Sequence, residues 1–319
     1  MTTSSFAADS SVSPVPVLSV SPVVLPVPGR PVDLRLRISA PVTGTALPVV
    51  LLSHGLGFSN HLSSLNGYAP IVNHWAAHGF VVVQPTHLDS RTLSGHPALP
   101  AQTPPWRSRA EDMKHILDRL DLIEEAVPQL AGRVDRDRVA VAGHSMGGHT
   151  AGLLLGARLT DPADGTAVDL AEPRIAAGVL LAAPGRGGDA LTAFTAENYG
   201  FLSTPDFSTM TAPALVVAGD KDDSAHLTVQ GPDWHADPYT LAPGPKDLLT
   251  LFGAEHGLGG ISGYDVAETT DENPERVAAV ARLTLAYLRS RLYPGDAAWS
   301  AARAALAAEP DPIGRIESK

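Results

Sequence analysis

The chain has no cysteine in its 319 residues. That absence excludes disulfide staples, thiolate metal centres and a cysteine nucleophile. No run of about 18 apolar residues occurs, so no segment reads as a membrane span. Positive charge is scarce as well: 23 Lys and Arg stand against 34 Asp and Glu, a formal net charge of −11. Such a balance argues against nucleic acid or an anionic membrane as partner. Nucleotide-binding loops are missing too. There is no Walker sequence and no Gly-x-Gly-x-x-Gly opening a βαβ unit, and "GRGG" at 185–188 lacks that spacing. No cofactor is implied. The first residues, "MTTSSFAADSSVSPVP", carry neither a basic n-region nor an apolar h-region. A disordered leader over 1–15 is therefore expected in place of a signal peptide, with the cytoplasm as the default compartment.

What is present is enough apolar material for one large core: 44% of residues are hydrophobic and 18% charged. Six short apolar runs, at 47–55, 79–87, 137–145, 175–185, 213–222 and 246–256, are nearly continuous in Val, Leu, Ile and Ala. Such runs suit strands buried on both faces of a parallel sheet. Helical segments are expected between them at roughly 66–78, 108–127, 146–158 and 275–292. In the second of these, Met113, Ile116, Leu117, Leu120 and Ile123 form one stripe at helical spacing. Residues 16–39 hold strand-like pieces broken by proline, suited to antiparallel edge strands. The fold class is thus α/β: a doubly wound, mostly parallel sheet flanked by helices. With neither repeat nor linker, residues 16–293 make one domain, followed by a terminal helix and tail at 294–319. Residues 185–212, long for a crossover and carrying Phe194, Tyr199, Phe201 and Phe207, are a possible cap. Oligomeric state has no signature.

One apolar run ends in "GHSMGG" and continues as an Ala/Leu-rich helix. Gly-x-Ser-x-Gly alone is a weak signal, but the strand–turn–helix setting is that of a nucleophile elbow, which would present Ser145 at a helix N-terminus. A serine needs a base, and the base an orienting acid, each at the end of a later strand. "AGDKDD" offers Asp220, Asp222 and Asp223. "GAEHG" offers His256, whereas His226 and His235 follow no strand. Donors for an oxyanion fall at the N–H of Met146, just after the serine, and in the glycine-bearing loop "SHGLGFS", where Leu56 is the best placed. Phe58, His87, Phe201 and Phe207 are candidate substrate contacts. Asp222, Asp223, His226, His235 and Asp237 crowd one segment, but their spacing fits no metal-ligand pattern, and no metal is expected.

In that order, "SHGLG", "GHSMGG", "AGDKDD" and "GAEHGLGG" resemble the α/β-hydrolase superfamily, and more closely its bacterial chlorophyllase-like and platelet-activating-factor-acetylhydrolase-like serine esterases, over roughly residues 20 to 293. The resemblance implies Ser145 as nucleophile, His256 as base, and Leu56 and Met146 as oxyanion donors. Animal acetylhydrolases place the acid after the strand that follows the nucleophile. Here that stretch, "VLLAAPGRGG", has no carboxylate before Asp189, so the acid falls on the next strand. Asp222, three residues past the strand-ending glycine, matches the usual place, with Asp220 the alternative. Polyester-degrading relatives share the "GHSMGG" elbow, but their usual aromatic at the oxyanion loop is Leu56 here. The expected substrate is a small ester with an apolar acyl or alcohol group. Lactones, thioesters and polyesters are alternatives on the same triad. A non-catalytic binding protein on this fold is the other class; it could lose a triad member without penalty, and this chain has lost none.

Overall fold

The computed structural model describes residues 13–99 and 106–319. Strands β1 (Val17–Leu25), β2 (Leu34–Pro41) and β3 (Leu47–Ser53) precede helix α1 (Ala69–Ala77) and β4 (Val81–Pro85). Helices α2 (Trp106–Asp118) and α3 (Leu120–Ala126) lead into β5 (Val134–His144), α4 (Met146–Leu154) and a small hairpin of β6 (Arg158–Thr160) and β7 (Ala167–Asp169). Then come β8 (Ile175–Leu181), α5 (Ala193–Asn198), β9 (Ala214–Gly219), α6 (Asp237–Thr240), β10 (Lys246–Leu251), α7 (Pro274–Leu292), α8 (Ala298–Ala308) and β11 (Gly314–Ser318).

Nine strands form one sheet in the order β1-β2-β4-β3-β5-β8-β9-β10-β11. The six from β4 to β10 are parallel; at one edge β2 pairs antiparallel with both β4 and β1, and at the other β11 pairs antiparallel with β10. This is the doubly wound sheet expected, in the arrangement of the α/β-hydrolase fold. Alternation along each strand feeds two cores. Val49, Leu51, Val139 and Val141 face α2, α3 and α4. Val50, Leu52, Ala140 and Ala142 face α1, α7 and α8. Both faces are covered, which is why these strands read as unbroken apolar runs. The chain steps outward from β3 to β4, then returns to lay β5 on the other side of β3. Strand order reverses there, and open α/β sheets bind ligands in the crevice at such a reversal.

Three expectations are adjusted. The helix expected over 108–127 is two helices, broken at Arg119, whose φ of −127° leaves the helical region. Apolar spacing does not reveal the break, because Leu120 and Ile123 enter the same core as Met113 and Ile116. The polar tail after 309 adds strand β11 to the sheet, pairing from Asp247↔Ser318 to Leu251↔Gly314. Its residues pair through backbone and are mostly exposed, so no apolar pattern announces it. Residues 185–212 hold α5 and several 3₁₀ turns, and their aromatics Phe201 and Phe207 are buried in the core. Of the expected leader, all but its last three residues lie outside the described residues. Among these three, the Val15 N–H donates to the Ala77 carbonyl at 2.9 Å. Among the described residues, no helix is long and apolar enough to cross a membrane.

Candidate active site

Ser145 stands between β5 and α4 with φ 53° and ψ −121°, a conformation L-residues rarely adopt. Two close approaches hold it there. A Cβ on Gly143 would sit 1.9 Å from the Gly147 carbonyl oxygen, and one on Gly147 would sit 2.0 Å from that of Ser53. Only glycine at both positions lets β5 turn into α4 while β3 passes alongside. The Ser145 N–H donates to the Leu181 carbonyl at 2.9 Å, tying the turn to β8.

Ser145 Oγ lies 2.8 Å from His256 Nε2, and His256 Nδ1 lies 2.7 Å from Asp222 Oδ2. His256 and Asp222 come from the loops after β10 and β9, so three strand ends supply one hydrogen-bonded row. The ionised carboxylate only accepts, so Nδ1 carries the proton and Nε2 accepts from the serine hydroxyl. Asp222 is buried, and burial alone would raise its pKa. Attraction to His256 once that ring is protonated, with the hydrogen bonds from His235 and His256, outweighs it and holds the carboxyl far below the usual range. The other two aspartates take no part in this row. Asp220 accepts the Gly253 N–H at 2.7 Å, bracing the neighbouring loop, and Asp223 is exposed.

The loop after β3 is pinned almost everywhere. Arg109 Nη1 donates to the His54 carbonyl at 2.7 Å, while Arg109 Nε is held by Asp89 at 2.8 Å. The Gly55 N–H donates to the Tyr68 hydroxyl at 2.8 Å. Ser59 donates from its N–H and hydroxyl to the Glu268 carboxylate at 2.7 and 2.6 Å. The Tyr68 hydroxyl in turn donates a hydrogen bond to His144 Nδ1 at 2.9 Å, and His144 Nε2 donates to the His256 carbonyl at 2.8 Å. Burial, then the neighbouring His256, pushes His144 down to about 3, so its ring is neutral and both assignments hold. The N–H groups of Leu56, on this loop, and of Met146, at the first position of α4, flank Ser145 in sequence and topology. A first-turn N–H has no carbonyl within its own helix to donate to.

The remaining expected residues are placed as follows. Phe58 is exposed, at 70%. His87 is fully buried, its Nδ1 on Asp112 and its Nε2 on Ser53 Oγ, both at 2.9 Å. Both ring nitrogens are spent on the interior, and burial drives its pKa well below the ordinary histidine value. Phe201 stacks on Trp106 and leans on His149, with ring centroids 5.7 and 5.1 Å apart, and Phe207 packs beneath α4 in the same core. At 2% and 4% exposure, these two rings offer almost no surface to a ligand.

Sequence reasoning missed His235, Ser224, Tyr68, His144 and Glu268. His144 lies inside the motif; the others stand in segments with no pattern of their own. Donor atoms of Asp222, His235 and His256 lie within 4.8 Å of one another, the grouping among the described residues that comes nearest a metal site. At 2.7 Å, however, Nδ1 and Oδ2 are closer than two ligands sit on one tetrahedral zinc, roughly 3.3 Å from ligand distances of about 2.0 Å. The spacing is that of hydrogen bonds.

Residues 15–161 match a family model described as Chlorophyllase. The match includes Ser145 but neither His256 nor Asp222. The chain is also 29% identical over 142 residues to a platelet-activating factor acetylhydrolase of Cavia porcellus, covering 34% of this chain and 31% of that protein. Against the Bos taurus protein of the same name it is 29% identical over 145 residues, or 34% and 32% of the two chains. The matched stretch thus spans about a third of the length of these relatives. Sheet order and the turn at Ser145 are consistent with the α/β-hydrolase fold, and the chain is similar in sequence to chlorophyllases and platelet-activating factor acetylhydrolases.

Proposed function

We propose that this protein is a serine hydrolase that cleaves carboxylic esters through an acyl-enzyme. The observation that carries the reading is the row Ser145 Oγ to His256 Nε2 at 2.8 Å and His256 Nδ1 to Asp222 Oδ2 at 2.7 Å, at the strand-order reversal. In the first half-reaction Ser145 Oγ attacks the ester carbonyl carbon while its proton passes to His256 Nε2. The carbonyl oxygen, now an anion, takes the N–H groups of Leu56 and Met146 at the positive end of α4. Asp222, ionised and buried, stabilises the imidazolium. The intermediate collapses, the alcohol leaves with the proton from His256, and water repeats the sequence on the acyl-enzyme.

An apolar acyl or alcohol group suits the half-buried Leu56 and the exposed Phe58 on the loop beside the serine. His87, Phe201 and Phe207 are left to the core. The likeness to two families whose names denote ester hydrolases supports the same class. The test is a panel of short and long p-nitrophenyl esters, a lactone, a thioester and a polyester film, run with wild type and Ser145→Ala. Turnover of at least one ester is expected in wild type. The variant should keep its fold and lose activity by several orders of magnitude. Activity above about 1% of wild type in Ser145→Ala would point to another nucleophile. Failure of every ester, together with no labelling of Ser145 by a fluorophosphonate, would sink the reading.

A further inference from the structure

Two histidines meet one carboxylate oxygen. His256 Nδ1 lies 2.7 Å from Asp222 Oδ2, and His235 Nε2 lies 3.1 Å from the same atom. His235 is fully buried on the 3₁₀ turn Pro232–Ala236, its ring centroid 5.5 Å from that of His256. Its other nitrogen, Nδ1, lies 2.9 Å from the Ala183 carbonyl oxygen, which has no proton to give, so Nδ1 carries one. Nε2 faces Asp222 Oδ2 and, at 3.1 Å, Ser224 Oγ. The single Ser224 proton goes to Asp222 Oδ1 at 2.8 Å. Nε2 therefore points at two oxygens that offer it nothing, and the contact is attractive only if Nε2 is protonated too. Ser224 holds its place at φ 40°, a left-handed conformation that residues other than glycine rarely adopt.

We infer that His235 is an imidazolium sharing the charge of Asp222 with His256, a positioning residue that keeps His256 free of its proton under mildly acidic conditions. A cation on the far side of the acid weakens the acid's pull on a proton at His256. The other charged or titratable groups facing this pair leave the balance intact. His144, from β5, is neutral. His226, on the loop after β9, is also held below the ordinary histidine value, chiefly by burial. Asp237, two residues past His235, is raised by burial and accepts the Arg186 N–H at 2.9 Å. Asp222 is the carboxylate that touches the His235 ring.

The charge can be read without any turnover. In ¹⁵N NMR of histidine-labelled wild type at pH 7.5, assigned through His235→Gln, His235 is expected to show two protonated nitrogens. One protonated nitrogen overturns the inference. The kinetic half rests on the ester-hydrolase reading. With p-nitrophenyl butyrate, His235→Gln should move the acid limb of kcat/KM upward by about one pH unit, with KM unchanged. On the acidic side of that limb the variant should then be roughly tenfold slower relative to its own plateau. A limb that stays put while kcat drops equally at every pH means a merely structural role and also overturns it. If wild type shows no Ser145-dependent turnover, the ester reading fails, and NMR alone decides the His235 charge.

Discussion

Ser145 and Asp222 are held in place by opposite means. Around Ser145 the constraint is backbone against backbone: β5, α4 and β3 approach until Gly143 and Gly147 leave no room for a methyl group. Around Asp222 the constraint is side chain against side chain, with His256, His235 and Ser224 all bonded to one carboxylate. The first kind of restraint is rigid but tolerates no added atom. The second kind is assembled from several polar groups and responds to protons. The two regions should therefore fail differently.

Breaking the backbone side should have the largest effect. In Gly147→Ala the new Cβ would meet the carbonyl oxygens of Ser53 and His54 at 2.0 and 2.8 Å, and neither strand can step aside. A loss of more than about 3 kcal/mol in denaturant unfolding, or no soluble protein, is expected. Gly152, one turn further along α4, is the control. A Cβ there meets nothing closer than 3.8 Å, so Gly152→Ala should gain about 0.5–1 kcal/mol by helix propensity. Equal behaviour of the two variants would remove the packing argument.

Breaking the side-chain side should cost catalysis above all. Asp222→Asn keeps the size but cannot hold the His256 tautomer, so kcat should drop by roughly 10²–10⁴. Asp220→Asn loosens one loop bond to Gly253 and should stay within about threefold. The reverse ranking would move the acid to Asp220.

This difference also governs what could be read before any coordinates. A backbone constraint is written where it acts: two glycines around Ser145, between an apolar strand and a small-residue helix, are contiguous in the chain. Six parallel strands were legible for a similar reason, since burial on both faces leaves a local run of apolar residues. The network at Asp222 draws on Ala183, Ser224, His235 and His256, spread over more than 70 residues, and no spacing rule connects them. His235 follows no strand, so topological reasoning passed over it as a base and could not see its contact with the acid. Strand β11 and the break at Arg119 stayed hidden because backbone pairing and a shared core leave no periodic trace.

Protons should separate the two regions again, with an intermediate effect. On the serine side, His144 and His149 are buried, and desolvation holds both near 3, far below the ordinary histidine value of about 6.5. Unfolded, they would take up protons below pH 6.5; folded, they do not until about 3. The unfolded state thus binds more protons throughout that window, and stability falls as pH falls through it. Each histidine should cost about 2 kcal/mol at pH 5. On the acid side, Asp222 is depressed, so its contribution is present above the ordinary carboxylate range and is lost only as pH falls below it. Loss of stability between pH 6.5 and 4.5 therefore belongs to the histidines. Among the described residues neither His149 nitrogen has a hydrogen-bond partner, so His149→Leu removes the titration without breaking a bond seen there. Melts of wild type and this variant at pH 7.5 and 5 should differ in slope; parallel slopes would exclude His149 as a source.

The smallest expected effect lies where the two regions touch. The Tyr68 hydroxyl accepts the Gly55 N–H and donates to His144 Nδ1, and His144 in turn donates to the His256 carbonyl. One phenol thus links the loop carrying the Leu56 N–H to the peptide of His256. Tyr68 is fully buried, and burial raises its pKa, so the hydroxyl keeps its proton at any pH of interest. Its backbone sits at φ 66°, outside the ordinary regions, where a N–H bond to the Ser262 carbonyl at 2.9 Å holds it. Tyr68→Phe leaves the ring in its core and removes only the hydroxyl. Gly55 then loses the partner that fixes the peptide next to Leu56, and His144 loses the donor that fixes its ring. Complete loss of an oxyanion donor costs about 10²–10³ in rate; a donor still present but aimed slightly off should cost about tenfold. Because the oxyanion exists only in the transition state, the loss should fall on kcat with KM nearly constant. A rise in KM at unchanged kcat would mean that the link shapes the binding site, and that the two regions are coupled through the substrate alone.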